Sequence, residues 1–406
     1  MADSGVYDRW YRIVDGKRVA SAEHGQGKRW QARWRDESGR QRKQNHDRRA
    51  DAERALATVK ADLARGVYLD PAAGKVTLGD YAAVWCAAQT FDETTREAVA
   101  LRLRLHVVPQ LGAYPLAALR PSVVQSWARG LQQQLAPSYV RVVFAHLSAI
   151  LQAAVDDGAI ARNPCRAGSV KPPAPDRRKV LPWSAERVAA VAAALPDRYR
   201  AIIAVTAGLG LRQGECFGLA VDDVDFLRGV VHVRRQVRIV ASRLVFALPK
   251  TGKTRDVPLP ESVALRLAAH LEVWPVGTVA LSWREPTGRP ETVRLLFTTR
   301  ERTALARTYF NRHVWKPALE AAGVPATRDN GIHAARHYYA SALLEDGVNV
   351  RAVAEYLGHN DPGFTLRVYA HLMPSSEARA RAAVDRALSG AMAGGPRALD
   401  VPSVGR

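Results

Sequence analysis

Four short segments in the second half of the chain gather residue types that handle anions and protons. In the first, Thr206-Ala207-Gly208-Leu209-Gly210-Leu211-Arg212-Gln213-Gly214-Glu215, an apolar helix breaks at the glycines. Arg212 then opens a new helix, with Glu215 one turn along the same face. The second runs from Leu248 to Pro258 and places Lys250 beside Thr251-Gly252-Lys253, at the expected tip of a β-hairpin. The third, His333-Ala334-Ala335-Arg336-His337, sets His333 and Arg336 together by i,i+3 spacing on a helix. In the fourth, Gly358 of Tyr356-Leu357-Gly358-His359 ends one helix, Asp361 caps the next with Pro362 in its first turn, and Tyr369 follows. Arginines bring permanent bidentate charge, lysine and histidine move protons, and a phenol offers an oxygen nucleophile. Taken singly, each segment also has an ordinary reading: a surface ion pair, a solvated turn, a helix-end histidine, a packed aromatic.

Order and spacing say more. Arginine, lysine, His-x-x-Arg, Leu-Gly-His and then tyrosine ten residues after that histidine resembles the tyrosine recombinase (phage integrase) family. The resemblance covers residues 183–389 as a catalytic domain and extends upstream to an arm-type DNA-binding domain, a core-binding helical domain and a linker. It implies an enzyme, a site-specific recombinase that cleaves and rejoins DNA through a 3′-phosphotyrosine, integrating or excising a phage or other mobile element. The implied catalytic set is Arg212, Lys250, His333, Arg336, His359 and the nucleophile Tyr369, with Glu215 in support. Two departures stand out: alanines occupy both positions between His333 and Arg336, and extra loop is expected around Trp274–Pro290.

Chemistry agrees with that set. Attack on phosphorus suits a phenol, and the charge on the non-bridging oxygens suits the forks of Arg212 and Arg336. A poor 5′-oxygen leaving group needs a mobile acid, which Lys250 on a turn supplies. His333 and His359 are left to bind the phosphate or exchange the phenol proton. No metal or other cofactor is expected, since no spaced acidic ligands appear and the three cysteines are scattered.

These groups need elements to hold them. The 406 residues are 47% apolar and 24% charged, which excludes wholesale disorder. The net charge of +20, with 59 basic residues of which ten are lysine, points to an anionic polymer, nucleic acid before membrane. The longest apolar run found, Ala201–Leu211, stops at Arg212 short of a membrane span, and Met1-Ala2-Asp3-Ser4 lacks a secretory pattern. A bacterial cytoplasmic protein is expected.

The fold expected is multidomain, mainly α with small β-sheets. Residues 1–70 read as a β-sheet plus helix. Arg29–Arg35 and Arg40–Gln44 are its strands, and Ala50, Ala55, Val59 and Leu63 line one side of a helix from Asp47 to Arg65. Arg33, Arg35, Arg42 and Lys43 are its candidate DNA contacts, because a basic two-stranded ribbon fits the major groove. Residues 75–163 read as a four-helix core-binding domain, with Pro121 starting one helix and Ser138 capping another. The proline-rich stretch 164–182 reads as a stiff linker, with Lys171, Arg177, Arg178 and Lys179 as further DNA contacts. The domain from 183 to 389 is mixed α+β, with strands over Val230–Val233, Val237–Val240, Leu244–Leu248 and Asp256–Leu259. Residues 390–406 read as a disordered tail.

Expected partners are double-stranded DNA attachment sites, three further copies of the chain in a homotetramer on paired sites, and host or phage accessory factors for DNA bending and directionality. Two other readings are a type IB topoisomerase-like relaxing enzyme and a non-catalytic DNA-binding regulator.

Overall fold

Alternation through Trp30–Arg35 makes the central strand of a small antiparallel sheet in the computed structural model. That model describes residues 4–36, 39–66, 68, 73–174, 181–372 and 377–392 and divides the chain into two units, 1–177 and 178–406. The sheet order is Gly5–Asp8, Trp30–Arg35, Gln41–His46. A separate hairpin, Tyr11–Val14 with Lys17–Ala20, turns at Asp15 and Gly16, both with positive φ. Asp-Gly favours this two-residue turn. Ala32 and Trp34 pack on Ala52 and Leu56 of the helix Arg49–Ala64. The buried side of that helix is thus 52, 56, 59 and 63, and Ala50, expected inside, is exposed. The i,i+4 and i,i+3 steps of one helix face run 52, 56, 59 and 63, and Ala50 falls off that stripe.

Helices Leu78–Ala88, Glu93–Arg102, Pro121–Gln132 and Pro137–Asp156 form the bundle that follows. Thr77 and Asp92 cap the first two with side-chain oxygens. Pro137 is the first residue of the fourth, with Ala136 before it, so Ser138 lies inside the helix and is not its cap. By length and composition Pro137–Asp156 is apolar enough to cross a membrane, a run the sequence reading passed over. Its Val140, Val143, Phe144, Leu147, Ile150, Leu151 and Ala154 are instead buried in the core of the bundle. Pro164 and Cys165 are buried too, and Cys165 and Val170 join the bundle core. The first residues of the expected linker therefore belong to the helical unit; Arg177, Arg178 and Lys179 lie outside the described residues.

In the second unit the buried helix Asp197–Leu209 packs against Ala185–Ala194, Glu261–Val273 and His333–Glu345. Strands Val230–Val233, Gln236–Val240, Arg243–Ala247 and Arg255–Pro258 fall where alternation placed them. Pairing corrects one expectation. Gln236–Val240 closes a hairpin with Arg243–Ala247 through Ala241 and Ser242, whereas Arg255–Pro258 pairs with Val230–Val233. Lys250 therefore sits on a turn joining two sheets, not on a hairpin tip. Within the stretch expected as extra loop, Gly277–Ser282 pairs with Pro290–Leu295 in a β-hairpin, driven by Val279 and Leu295 entering the core. Helix Glu377–Met392 carries the chain past residue 390; residues 393–406 lie outside the described ones.

Candidate active site

Gly210 makes the first corner. Its φ of 64° ends the helix Asp197–Leu209, and a Cβ there would meet Tyr339 at 2.4 Å. The chain can then turn so that Arg212 precedes the short helix Gln213–Phe217. Glu215, only 1% exposed, accepts from the Arg212 backbone N–H (2.9 Å) and from Arg212 Nη1 (2.9 Å). Burial would raise the Glu215 pKa, but hydrogen bonds from Arg255 and the charges of Arg255, Arg212 and Arg336 outweigh it and hold the carboxylate at about 2.

Arg336 is 1% exposed on the helix His333–Glu345. Its Nη1 donates to Gly210 O and its Nη2 to Leu357 O, both at 2.5 Å, and Nη2 also meets His359 Nε2 at 3.2 Å. Burial first, then the Arg212 charge, lowers its pKa to about 9, so it stays cationic at neutral pH. Gly358, with φ of 62°, ends the helix Val350–Leu357 and aims His359 back at Arg336. Because a guanidinium only donates, His359 Nε2 accepts, and Nδ1–H therefore donates to Thr365 Oγ1 at 2.8 Å. Arg212 Nη2 reaches Gly358 O at 3.1 Å, so both candidate phosphate arginines and His359 meet at one turn.

Asp361 caps the helix Pro362–Tyr369 through its side chain to Gly363 N–H, and this helix delivers Tyr369. Tyr369 is 2% exposed, packed with Tyr339, Leu344, Val353 and Leu357. Its hydroxyl lies 2.5 Å from His337 Nδ1. Burial pushes the phenol pKa up to about 12, against the pull of Arg336. His333 is exposed and sets its ring edge-on to His337 with centroids 4.8 Å apart.

The residues 184–375 match the phage integrase family. The integrase of Mycobacterium phage D29 is 27% identical over 335 residues, covering 80% of this chain and 84% of the phage protein. A tyrosine recombinase XerC-like protein of Caldanaerobacter subterraneus is 28% identical over 331 residues, 75% of this chain and 82% of that one. The chain belongs to the tyrosine recombinase, or phage integrase, family. Its fold is shared with the Tn1549 transposon integrase solved in complex with transposon right end DNA: TM-score 0.65, 20% identity, 76% of this chain and 99% of that one. A lambda integrase tetramer bound to a Holliday junction also shares it, with a TM-score of 0.55 and 15% identity over 87% of this chain and 96% of that one.

The recombinase brings Arg212, Glu215, Arg336 and His359 into one hydrogen-bonded cluster, with Tyr369 linked to His337 and His337 in ring contact with His333. Lys250 does not join them: it is exposed, with no hydrogen bond or ion pair among the described residues. Three contributors escaped the sequence reading. His337 follows Arg336 directly, Thr365 lies between His359 and Tyr369, and Arg255 stands five residues beyond Lys250. In the N-terminal sheet Arg33 lies opposite Lys43, and Arg35 shares their face by strand alternation. Arg42 lies opposite Trp34 on the helix side and bonds Asp36 Oδ2 at 2.7 Å, so it does not join that basic face. Lys171 is exposed, and its backbone N–H donates to Gln125 Oε1 at 2.6 Å.

Burial first, then the Arg336 charge, lowers His337 and His359 to about 4 from the usual 6.5. The unfolded chain therefore binds more protons between those values. The stabilising preference for neutral rings is complete above pH 6.5 and drains away as the pH falls toward 4. Thermal melts of the wild type should lose Tm across that interval more steeply than those of His337→Gln; parallel curves would contradict the assignment.

Proposed function

We propose that this site-specific recombinase exchanges strands between duplex attachment sites through a 3′-phosphotyrosine on Tyr369. The observation that carries the reading is the convergence of Arg212, Arg336 and His359 at the Leu357-Gly358 turn, beside a phenol hydrogen-bonded to the neighbour of Arg336. Arg212 and Arg336 hold the non-bridging oxygens, and fixed cations suit the charge that builds there. The Tyr369 oxygen attacks phosphorus in line, and its proton passes to neutral His337. The bond from phosphorus to the 5′ oxygen breaks, and the turn bearing Lys250 moves in with the DNA to protonate that oxygen. His333 donates to the phosphate, while His359, its Nε2 accepting from Arg336 and its Nδ1–H held by Thr365, orients the Arg336 guanidinium. A 5′ hydroxyl from the partner duplex then attacks the phosphotyrosine, so one ester replaces another and no nucleotide cofactor is consumed.

Similarity to an integrase bound to transposon end DNA and to a lambda integrase tetramer on a Holliday junction supports paired sites held by a homotetramer. Helix Glu377–Met392 docks on the neighbouring copy in this reading. The helical unit from 75 to 170 binds the core site and 183–389 perform the chemistry, with the residues after Val170 joining them. DNA-bending and directionality factors, a phage or other mobile element as cargo, and a bacterial cytoplasmic location on nucleoid DNA complete it.

Recombination between two duplexes copied from mapped element–host junctions tests the reading. Recombinant product is expected with a chelator present and without nucleotide. A requirement for divalent metal, or relaxation of plasmids lacking the sites, contradicts it. Residues 1–70 act as the arm-binding module, with Arg33, Arg35 and Lys43 on its outer face. Their deletion is expected to spare core-site cleavage and weaken integrative recombination; undiminished integration would remove the arm-binding role.

A further inference from the structure

The end of the helix Val350–Leu357 exposes carbonyls that lack intrahelical partners. Three arginines take three consecutive ones: Arg255 Nε donates to Tyr356 O at 2.7 Å, Arg336 Nη2 to Leu357 O at 2.5 Å and Arg212 Nη2 to Gly358 O at 3.1 Å. Arg255 differs from the other two. Its side chain is 6% exposed, and both of its terminal nitrogens are spent on Glu215, Nη1 to Oε1 at 3.1 Å and Nη2 to Oε2 at 2.7 Å. Nε, Nη1 and Nη2 of Arg255 each make a hydrogen bond inside the protein, and the two-pronged pairing commits it to Glu215. Gly358 has no side chain where Arg255 lies, since a Cβ there would come within 3.0 Å of Nη1 and 3.2 Å of Cζ.

We propose that Arg255 is a positioning residue for strand cleavage: it neutralises Glu215, so that Arg212 keeps its charge for the phosphate, and it pins the turn that carries His359. With Arg212 alone beside it, the Glu215 carboxylate would cancel the charge that the transition state needs. With Arg255 present, three guanidiniums and one carboxylate leave two positive charges at the turn.

This role rests on the proposed phosphotyrosine chemistry, and one set of reactions separates the two. Covalent adduct formation is measured under single-turnover conditions for wild type, Arg255→Gln and Arg255→Lys. The substrates are a nicked core-site duplex, the same duplex with a methylphosphonate at the cleaved position, and one with a 5′-bridging sulfur. Arg255→Gln is expected to lose about 10²-fold on the ordinary phosphate with DNA affinity retained. It should lose much less on the methylphosphonate, which has one charge fewer to neutralise, and gain nothing from the sulfur leaving group, which needs no proton. Arg255→Lys, which keeps the charge without the fork, should fall between, and it carries the test if Arg255→Gln does not fold. Cleavage near the wild-type rate, an equal loss on phosphate and methylphosphonate, or rescue by sulfur would each overturn the proposal. No adduct from the wild type itself would instead overturn the phosphotyrosine reading.

Discussion

Replacing Tyr369 by phenylalanine is expected to lower covalent adduct formation on a nicked core-site duplex by about 10⁴-fold or more, the scale of losing a nucleophile. DNA affinity should be unchanged. The ring packs among Tyr339, Leu344, Val353 and Leu357, and phenylalanine fills the same volume. Only the hydroxyl and its bond to His337 are lost. Gel-shift titration and denaturing electrophoresis of the same samples separate the two properties. A residual adduct in the variant would assign the nucleophile elsewhere.

Arg336→Gln should have the second-largest effect, about 10³-fold on single-turnover cleavage, as for other cations placed on a phosphoryl group in flight. It differs from Tyr369→Phe in also lowering stability. Arg336 holds Gly210 O and Leu357 O inside the domain, and each carbonyl bared by its loss costs about 1–3 kcal/mol. Lysine should restore little, since a single ammonium cannot span both carbonyls and still meet His359. A melt and a rate on the same preparation are the check. A variant of wild-type Tm with wild-type cleavage would remove Arg336 from the site.

The placement of the proposed catalytic groups was legible wherever local geometry decided it. Spacing on one helix put His333 and Arg336 together, and the Gly358 stop with the Asp361 cap set the path to Tyr369. What escaped was decided by distant partners. Arg255 reads locally as a strand residue, and its role appears only when Glu215, 40 positions away, and Tyr356, 101 positions away, close around it. The Lys250 segment reads as a hairpin because two strand patterns flank a glycine turn. Which strand Arg255–Pro258 joins depends on Val230–Val233, earlier in the chain and beyond an intervening hairpin. The first three strands of the N-terminal unit are four residues each, too short for alternation to mark them, and Gly5–Asp8 finds its partner only in Trp30–Arg35. In the same unit, Arg42 was grouped with Arg33, Arg35 and Lys43 by composition, while strand register sends it to the other face.

The buried position of Tyr369 sharpens the central issue of which oxygen joins the DNA. Its hydroxyl is held by His337 at 2.5 Å, and two other tyrosines belong to the same packing, Tyr339 in the shared core and Tyr356 against it. Trapping the wild type on a nicked duplex, digesting with trypsin and sequencing the nucleotide-bearing peptide by mass spectrometry decides it. The nucleotide's phosphate is predicted on Tyr369, in the peptide that begins at Val368. A phosphate on Tyr339, Tyr356 or any other residue would contradict the account.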